Sequence, residues 1–272
     1  MRGFVLCFVM VTGALLTCPA QAKAKTPSST SETSDCSASH FHVNDLVSYA
    51  DIKEQRLSPA STESINPGAN GSIRVHGWNQ NDVLVKACVQ AAAPSESEAQ
   101  ALASQVSIAQ GPGQIEPNGP STNDQRYWSV SYEVWLPVAS NLSLQANNGS
   151  IHIETVRGQI RFHTQNGSVH LADVSGDVDG STTNGSLHID LSGTAWSGSG
   201  LRAETTNGSV NLNLPENYSA RVEASTVNGR VKVDFPVTIS GEIEKNMSFQ
   251  LGNGGPTIQA KTVNGSVHIG RV

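Results

Sequence analysis

Three histidines, His152, His170 and His188, recur 18 residues apart, each inside the phrase Asn-Gly-Ser-apolar-His-apolar. A column of stacked imidazoles could bind a transition metal, or sense acid, because protonated neighbours repel. The plain alternative is a polar residue tolerated on an exposed strand. It is the preferred reading, since the adjacent carboxylates or cysteines that complete most metal sites are absent. Asp173, Asp177 and Asp179 form the only acidic cluster. β-helical polysaccharide enzymes use such acids on an outer face, whereas three acids in a turn-rich segment are ordinarily solvated. H-E-x-x-H, G-x-S-x-G, the P-loop and C-x-x-C do not occur. The chain therefore reads as non-enzymatic, with no cofactor expected and a polysaccharide-acting enzyme as the alternative.

What positions the histidines is a repeat. Asn-Gly pairs fall at Asn148-Gly149, Asn166-Gly167, Asn184-Gly185, Asn207-Gly208, Asn228-Gly229 and Asn264-Gly265, with spacings of 18, 18, 23, 21 and 36. The last is twice 18, and its midpoint, Asn246-Met-Ser-Phe-Gln-Leu, looks like a worn copy of the phrase. Glycines at 149, 158, 167, 176 and 185 are nine apart, so each unit holds two strands. Ile151, Ile160, Val169, Val178 and Leu187, with Ile153, Phe162, Leu171, Gly180 and Ile189, then alternate inward.

These observations predict an all-β fold, a parallel β-solenoid with 18-residue coils in which like residues stack at about 4.8 Å. Asn-Gly is expected to supply positive φ at one corner. Asn side chains, and Thr164, Thr182, Thr205, Thr226 and Thr262, are expected to hydrogen-bond along the stack. The histidine column should continue through Asn211, Lys232, Gln250 and His268, and Arg161 should pair with Asp179. The alternative is an antiparallel β meander or sandwich, because Asn-Gly is also a hairpin signal. A hexapeptide helix fails on the series Ile151, Arg157, His163, Val169, Ser175.

The rest of the chain is less regular. Residues 1–22 read as a secretory signal, with an apolar run from Phe4 to Leu16 and a small-x-small site ending at Ala22. That run is shorter than the ~20 residues needed to cross a bilayer, and no later segment is continuously apolar. Residues 23–40 read as a Ser/Thr-rich tether. Residues 41–146 form an N-terminal β region covering one end of the stack, and 147–272 the repeat region. Gly71–Trp78 and Asp82–Ala91 alternate as strands around an Asn79-Gln80-Asn81 turn. Ser95 and Glu98 cap one helix whose apolar face is Ala99, Leu102, Ala103 and Val106. Trp128, Val130, Tyr132, Val134 and Leu136 share one side of a long strand.

Only Cys36 and Cys88 remain once the signal, with Cys7 and Cys18, is removed. A disulfide between them is expected in an oxidising compartment, two free thiols being the alternative. The formal charge of -6, spread without a basic cluster, speaks against nucleic acid. Asn-Gly-Ser matches a glycosylation acceptor, but the repeat already explains the spacing.

GSIRVHGWNQNDVLVKA (71–87), then a helical insert, then VSYEVWLPVASNLSLQANNGSIHI (130–153) and the T-x-N-G-S-V repeats resemble the bacterial "putative adhesin" family, exported β-strand-repeat domains of unknown function. The resemblance covers residues 60–272 and implies an envelope location, a repetitive β fold and no catalytic residues. Combined with the signal, it predicts a periplasmic or cell-surface protein that contacts envelope glycans or proteins, a purely structural or stress-response envelope component being a further alternative. The chain ends directly after its last repeat, so self-association through a bare C-terminal end is a further expectation.

Overall fold

The computed structural model describes residues 36–108, 111–234 and 245–272. The signal segment 1–22 and the tether as far as residue 35 lie outside the described residues. Cys36 to His40, counted with the tether in sequence, instead include a 3-10 turn, Ala38–His40. Cys36 is disulfide-bonded to Cys88 and so anchors this turn to the body of the protein.

The chain is a two-sheet parallel β-solenoid. Ahead of the repeats come β1 (Val47–Leu57), β2 (Glu63–Ile65), β3 (Ile73–Trp78), β4 (Val83–Ala93), α1 (Glu96–Gln105), β5 (Gln114–Ile115) and β6 (Tyr127–Pro137). The coils then alternate between sheets: β7 (Leu142–Asn148) to β8 (Ile151–Glu154), β9 (Arg157–Asn166) to β10 (Val169–Ala172), and β11 (Ser175–Asn184) to β12 (Leu187–Asp190). β13 (Gly200–Asn207) leads to β14 (Val210–Leu214), and β15 (Ala220–Asn228) to β16 (Val231–Val233). β17 (Asn246–Leu251), β18 (Thr257–Asn264) and β19 (Val267–Arg271) complete the chain. Sheet A runs β1-β4-β6-β3-β8-β10-β12-β14-β19-β16, and sheet B runs β17-β15-β18-β13-β11-β9-β7-β2-β5.

Equivalent strands are parallel and in register at 18-residue separations, Val169 facing both Ile151 and Leu187. That pairing rules out the meander. The inward residues from both sheets are buried, Ile151, Ile153, Ile160, Val169, Leu171, Leu187 and Ile189 completely. Each contributes about 1.5 to 3 kcal/mol of burial free energy. Gly180 lacks a side chain for a packing reason: its Cβ would lie 2.4 Å from the Phe162 ring of the preceding coil.

The Asn-Gly corner works differently from the expectation. Gly149, Gly167, Gly185 and Gly229 are not left-handed, and Gly208 and Gly265, at φ +159° and +156°, are nearly extended. Glycine is needed because each corner passes so close to the next that a Cβ on Gly167 would sit 2.0 Å from the Gly149 carbonyl oxygen. The left-handed residues belong to the opposite corner, at Thr155 (φ +58°) and Asp173 (φ +49°). Asparagines stack along the file, Asn166 Nδ2 donating to Asn148 Oδ1 and Asn184 Nδ2 to Asn166 Oδ1, both at 2.8 Å. The threonines do not bond to one another. Thr164 and Thr182 donate to the Gly149 and Gly167 carbonyls at 2.8 Å, which satisfies buried hydroxyls locally.

Three further expectations change. The stack begins earlier than residue 147, because β2, the Asn70-Gly71 corner and β3 form a coil of the same solenoid, β3 pairing in parallel with β8. Asn246–Leu251 is not a rung: β17 pairs antiparallel with β15 at the edge of sheet B, which removes Gln250 from the histidine column. The last coil does not end the stack either, for β19 lies between β14 and β16, and β18 between β13 and β15. The turn through Gly252, Gly254 and Gly255, all at positive φ, feeds it back. The C-terminus is thus flanked on both sides, and the far end is formed by β15, β16 and β17.

The N-terminal strands extend sheet A. β3 and β4 are joined by the 79–82 bend but are not neighbours, because β6 lies between them, antiparallel to β4 and parallel to β3. Helix α1 begins at Ser95, whose hydroxyl oxygen accepts the Glu98 N–H at 3.4 Å, and buries Ala99, Leu102 and Ala103. Its C-terminus is capped by Lys53, Nζ donating to the Ala103 carbonyl at 2.8 Å.

Candidate functional site: the outer ladder of sheet A

Because side chains alternate across a strand, three outward files run across seven consecutive parallel strands of sheet A, β3, β8, β10, β12, β14, β19 and β16, with the eighth, β6, beside β3. The first is Ser72, Ser150, Ser168, Ser186, Ser209, Ser266 and Arg230. Several of its serine oxygens accept the N–H of the next rung, as Ser72 does from Ser150 at 3.2 Å and Ser186 from Ser209 at 3.3 Å. An oxygen used this way still has its hydroxyl proton to donate outward.

The second file is Arg74, His152, His170, His188, Asn211, His268 and Lys232, fixed by strand register. The His152 and His170 rings meet edge-on with centroids 4.5 Å apart, and His170 and His188 at 6.2 Å. Burial, then the His170 and Arg74 charges, hold the His152 imidazole below its ordinary pKa.

The third file supplies His76, Glu154, Ala172, Asp190, Asn213, Gly270 and, at the open end, Asp234. His76 lies between Glu133 and Glu154 at 3.3 Å from each, and stacks on Trp135 at 5.3 Å. Asp190 reaches His170 Nε2 at 2.9 Å and accepts from Asn213 at 2.7 Å. Burial raises the Asp190 pKa, but these two hydrogen bonds together with the nearby His170 and His188 charges outweigh it, and the carboxyl ends below its usual range. Asp234 reaches His268 at 2.7 Å and Lys232 at 2.9 Å. Those contacts lower its pKa as well.

The acidic cluster on the other side is not assembled as a pair of free carboxylates. Asp173 turns a corner and accepts a hydrogen bond from the Ser192 hydroxyl. Arg161, opposite Asp179 in register, binds Asp177 instead at 2.7 Å, and this hydrogen bond lowers the Asp177 pKa. Asp179 lies 3.5 Å from Arg202. Among the described residues no group of three or more His, Cys, Asp or Glu has metal-binding geometry. Sheet B also carries a shallow groove of about 580 Å³ over Thr183, Thr206, Val227 and Val263, with Glu204 and Lys261 3.5 Å apart on its wall.

Arg74 and His76 escaped the sequence reading of the column, although Asn70-Gly71-Ser72 repeats the phrase, because 78 residues separate Asn70 from Asn148. Asp190 and Asp234 were missed because they partner histidines on neighbouring strands.

The fold and its stacked surface define a class: repeat β-solenoids that present extended side-chain ladders. Residues 48–270 match the Toastrack DUF4097 family, a domain of unknown function, and the chain belongs to it. No curated protein matches it in sequence. Among solved structures it is similar to a "putative cell adhesion protein" from Clostridium sporogenes, at 13% identity and TM-score 0.44, covering 82% of this chain and 100% of that one. It is also similar to a "putative adhesin" from Bacteroides fragilis, at 10% identity and TM-score 0.40, covering 82% and 97%. A "putative lipid binding protein" from Parabacteroides distasonis aligns at 10% identity and TM-score 0.37, covering 82% and 96%. No described helix is long and apolar enough to cross a membrane.

Proposed function

We propose that this is an exported, non-catalytic protein of the bacterial cell envelope whose sheet A face binds extended polymers, glycans foremost. The observation that carries the reading is the in-register outer ladder, which repeats hydroxyl, imidazole and amide groups rung after rung at about 4.8 Å. Such a surface suits a ligand that is itself a repeat, each contact being modest and the sum multivalent. The N-terminal signal, small-x-small site and Cys36–Cys88 disulfide support export to an oxidising compartment. The test is incubation of the protein with a panel of immobilised envelope polysaccharides. Retention without new reducing ends is the expected result, and release of reducing ends would replace binding by hydrolysis.

A further inference from the structure

We propose that the outer face of the seven sheet A strands from β3 to β16 is an acid-gated binding site for linear polyanions, acidic polysaccharides in particular. The inference rests on the polymer-binding reading and assigns it a ligand class and a condition.

The charges on this face carry the argument. Within these seven strands the fixed cations are Arg74, Arg230 and Lys232 and the carboxylates Glu154, Asp190 and Asp234, so with neutral imidazoles they cancel; Glu133 of β6, opposite Arg74, and Lys86 of β4, opposite Glu133, border the strip with one further charge of each sign. Five histidines share the face: His76, His152, His170, His188 and His268. Protonating them turns a neutral strip into one carrying up to five added positive charges, and a histidine changes charge between about pH 5 and 8.

The groups around each histidine come from several strands. His76 faces Glu133 of β6 and Glu154 of β8, with Trp135 beneath it and Lys86 of β4 beyond that ring. His152 faces Arg74 of β3, His170 of β10, His76 and Glu154. His170 meets Asp190 of β12 and the His188 ring, His188 meets Asn211 of β14, and His268 meets Lys232 of β16 and Asp234 just beyond it. Glu154 acts on His152 and Asp190 on His188 only at a distance, neither forming a direct ion pair, so a protonated His152 or His188 keeps N–H groups open to an outside anion.

Geometry favours a linear partner. Arg74, His152, His170 and His188 occupy four consecutive rungs of one straight file. The rung spacing of about 4.8 Å is close to the length of one sugar residue, so a uronic acid chain laid along the stack presents roughly one carboxylate per rung. The serine file beside it offers hydroxyl donors to the same chain. Because the contacts are solvent-exposed, salt weakens them.

The test measures binding of the full mature chain to polygalacturonate and to a neutral polymer, dextran, at about pH 5 and about pH 7.5. Polygalacturonate is expected to bind about tenfold or more tightly at the lower pH. The triple variant His152→Gln, His170→Gln, His188→Gln is expected to lose that pH response, while His163→Gln, on sheet B, keeps it. Its circular dichroism and melting temperature at neutral pH establish that the triple variant is folded. Should both polymers bind alike at both pH values, polymer binding stands and acid gating is wrong. A folded triple variant that keeps the full pH response overturns the site. Binding of neither polymer at either pH overturns both readings.

Discussion

Gly167 lies directly over Gly149, so close that a Cβ on Gly167 would stand 2.0 Å from the Gly149 carbonyl oxygen. The same relation repeats up the file, at 2.1 Å for Gly185 over Gly167 and 2.0 Å for Gly208 over Gly185. The backbone cannot yield there without breaking the ladder. Gly167→Ala is therefore expected to cost about 3 kcal/mol in urea denaturation. Gly111→Ala, with nothing within 4 Å of the added methyl, is expected to change stability by less than about 0.5 kcal/mol. Equal effects would contradict the close-approach explanation.

The file also predicts where the chain ages chemically. Asn-Gly deamidates when the glycine nitrogen attacks the asparagine Cγ, expelling ammonia, and water then opens the succinimide. In the stack that nitrogen is usually engaged: Gly149, Gly167, Gly185, Gly208 and Gly265 each donate to the asparagine carbonyl of the next coil at 2.9–3.1 Å. Among the described residues Asn228-Gly229 forms the last corner of the file, where no such acceptor follows and the Gly229 N–H has no hydrogen-bond partner. Peptide mass mapping after mildly alkaline incubation is expected to find deamidation at Asn228 before Asn166, Asn184 or Asn207. Asn118-Gly119, in a loop where the Gly119 N–H likewise has no partner among the described residues, serves as the labile reference. Equal rates along the file would contradict the ladder's protection.

Cys36 and Cys88 close a loop of 52 residues and fasten the start of the described chain to β4. Replacing both with Ser is expected to cost roughly 2 to 4 kcal/mol. Hydrogen exchange should rise first in β1, which occupies the edge of sheet A. Unchanged protection in β1 would show that the strand holds without the bridge.

Acid should loosen the free protein. The folded state disfavours the charged form of His152, so the unfolded chain takes up its proton first, and stability falls as the pH drops below about 6.5 through the folded value. Asp190 acts in the same direction at lower pH: its folded pKa is depressed, and its contribution disappears as the carboxyl protonates. His152→Gln is expected to flatten the upper part of the melting-temperature profile between about pH 7 and 5 and leave the carboxylate region in place. An unchanged profile would contradict the assignment to His152.

Much of the solenoid was legible because a coil has few degrees of freedom. Once Ile151, Val169 and Leu187 stack, the 18-residue period fixes which residues face inward, and His152, His170 and His188 must share a file. What stayed hidden depends on order in space differing from order in sequence. Nothing local in Asn246–Leu251 reveals that it pairs antiparallel, and nothing in Thr257–Arg271 reveals that this coil is inserted before the preceding one. The corner glycines were found for the wrong reason, since Asn-Gly signals left-handed turns in general and close backbone approach only in a stack. Arg161 chose Asp177 over its register partner Asp179 because a long side chain reaches diagonally.

The central claim is that a straight, in-register ladder meets a repeating ligand. Its most direct test is the affinity of the protein, at about pH 5, for oligogalacturonides of increasing length. The account predicts negligible binding of the monomer, steep tightening until the oligomer spans the seven strands, and a plateau beyond. Equal affinity for monomer and polymer would place recognition in a single pocket and contradict it.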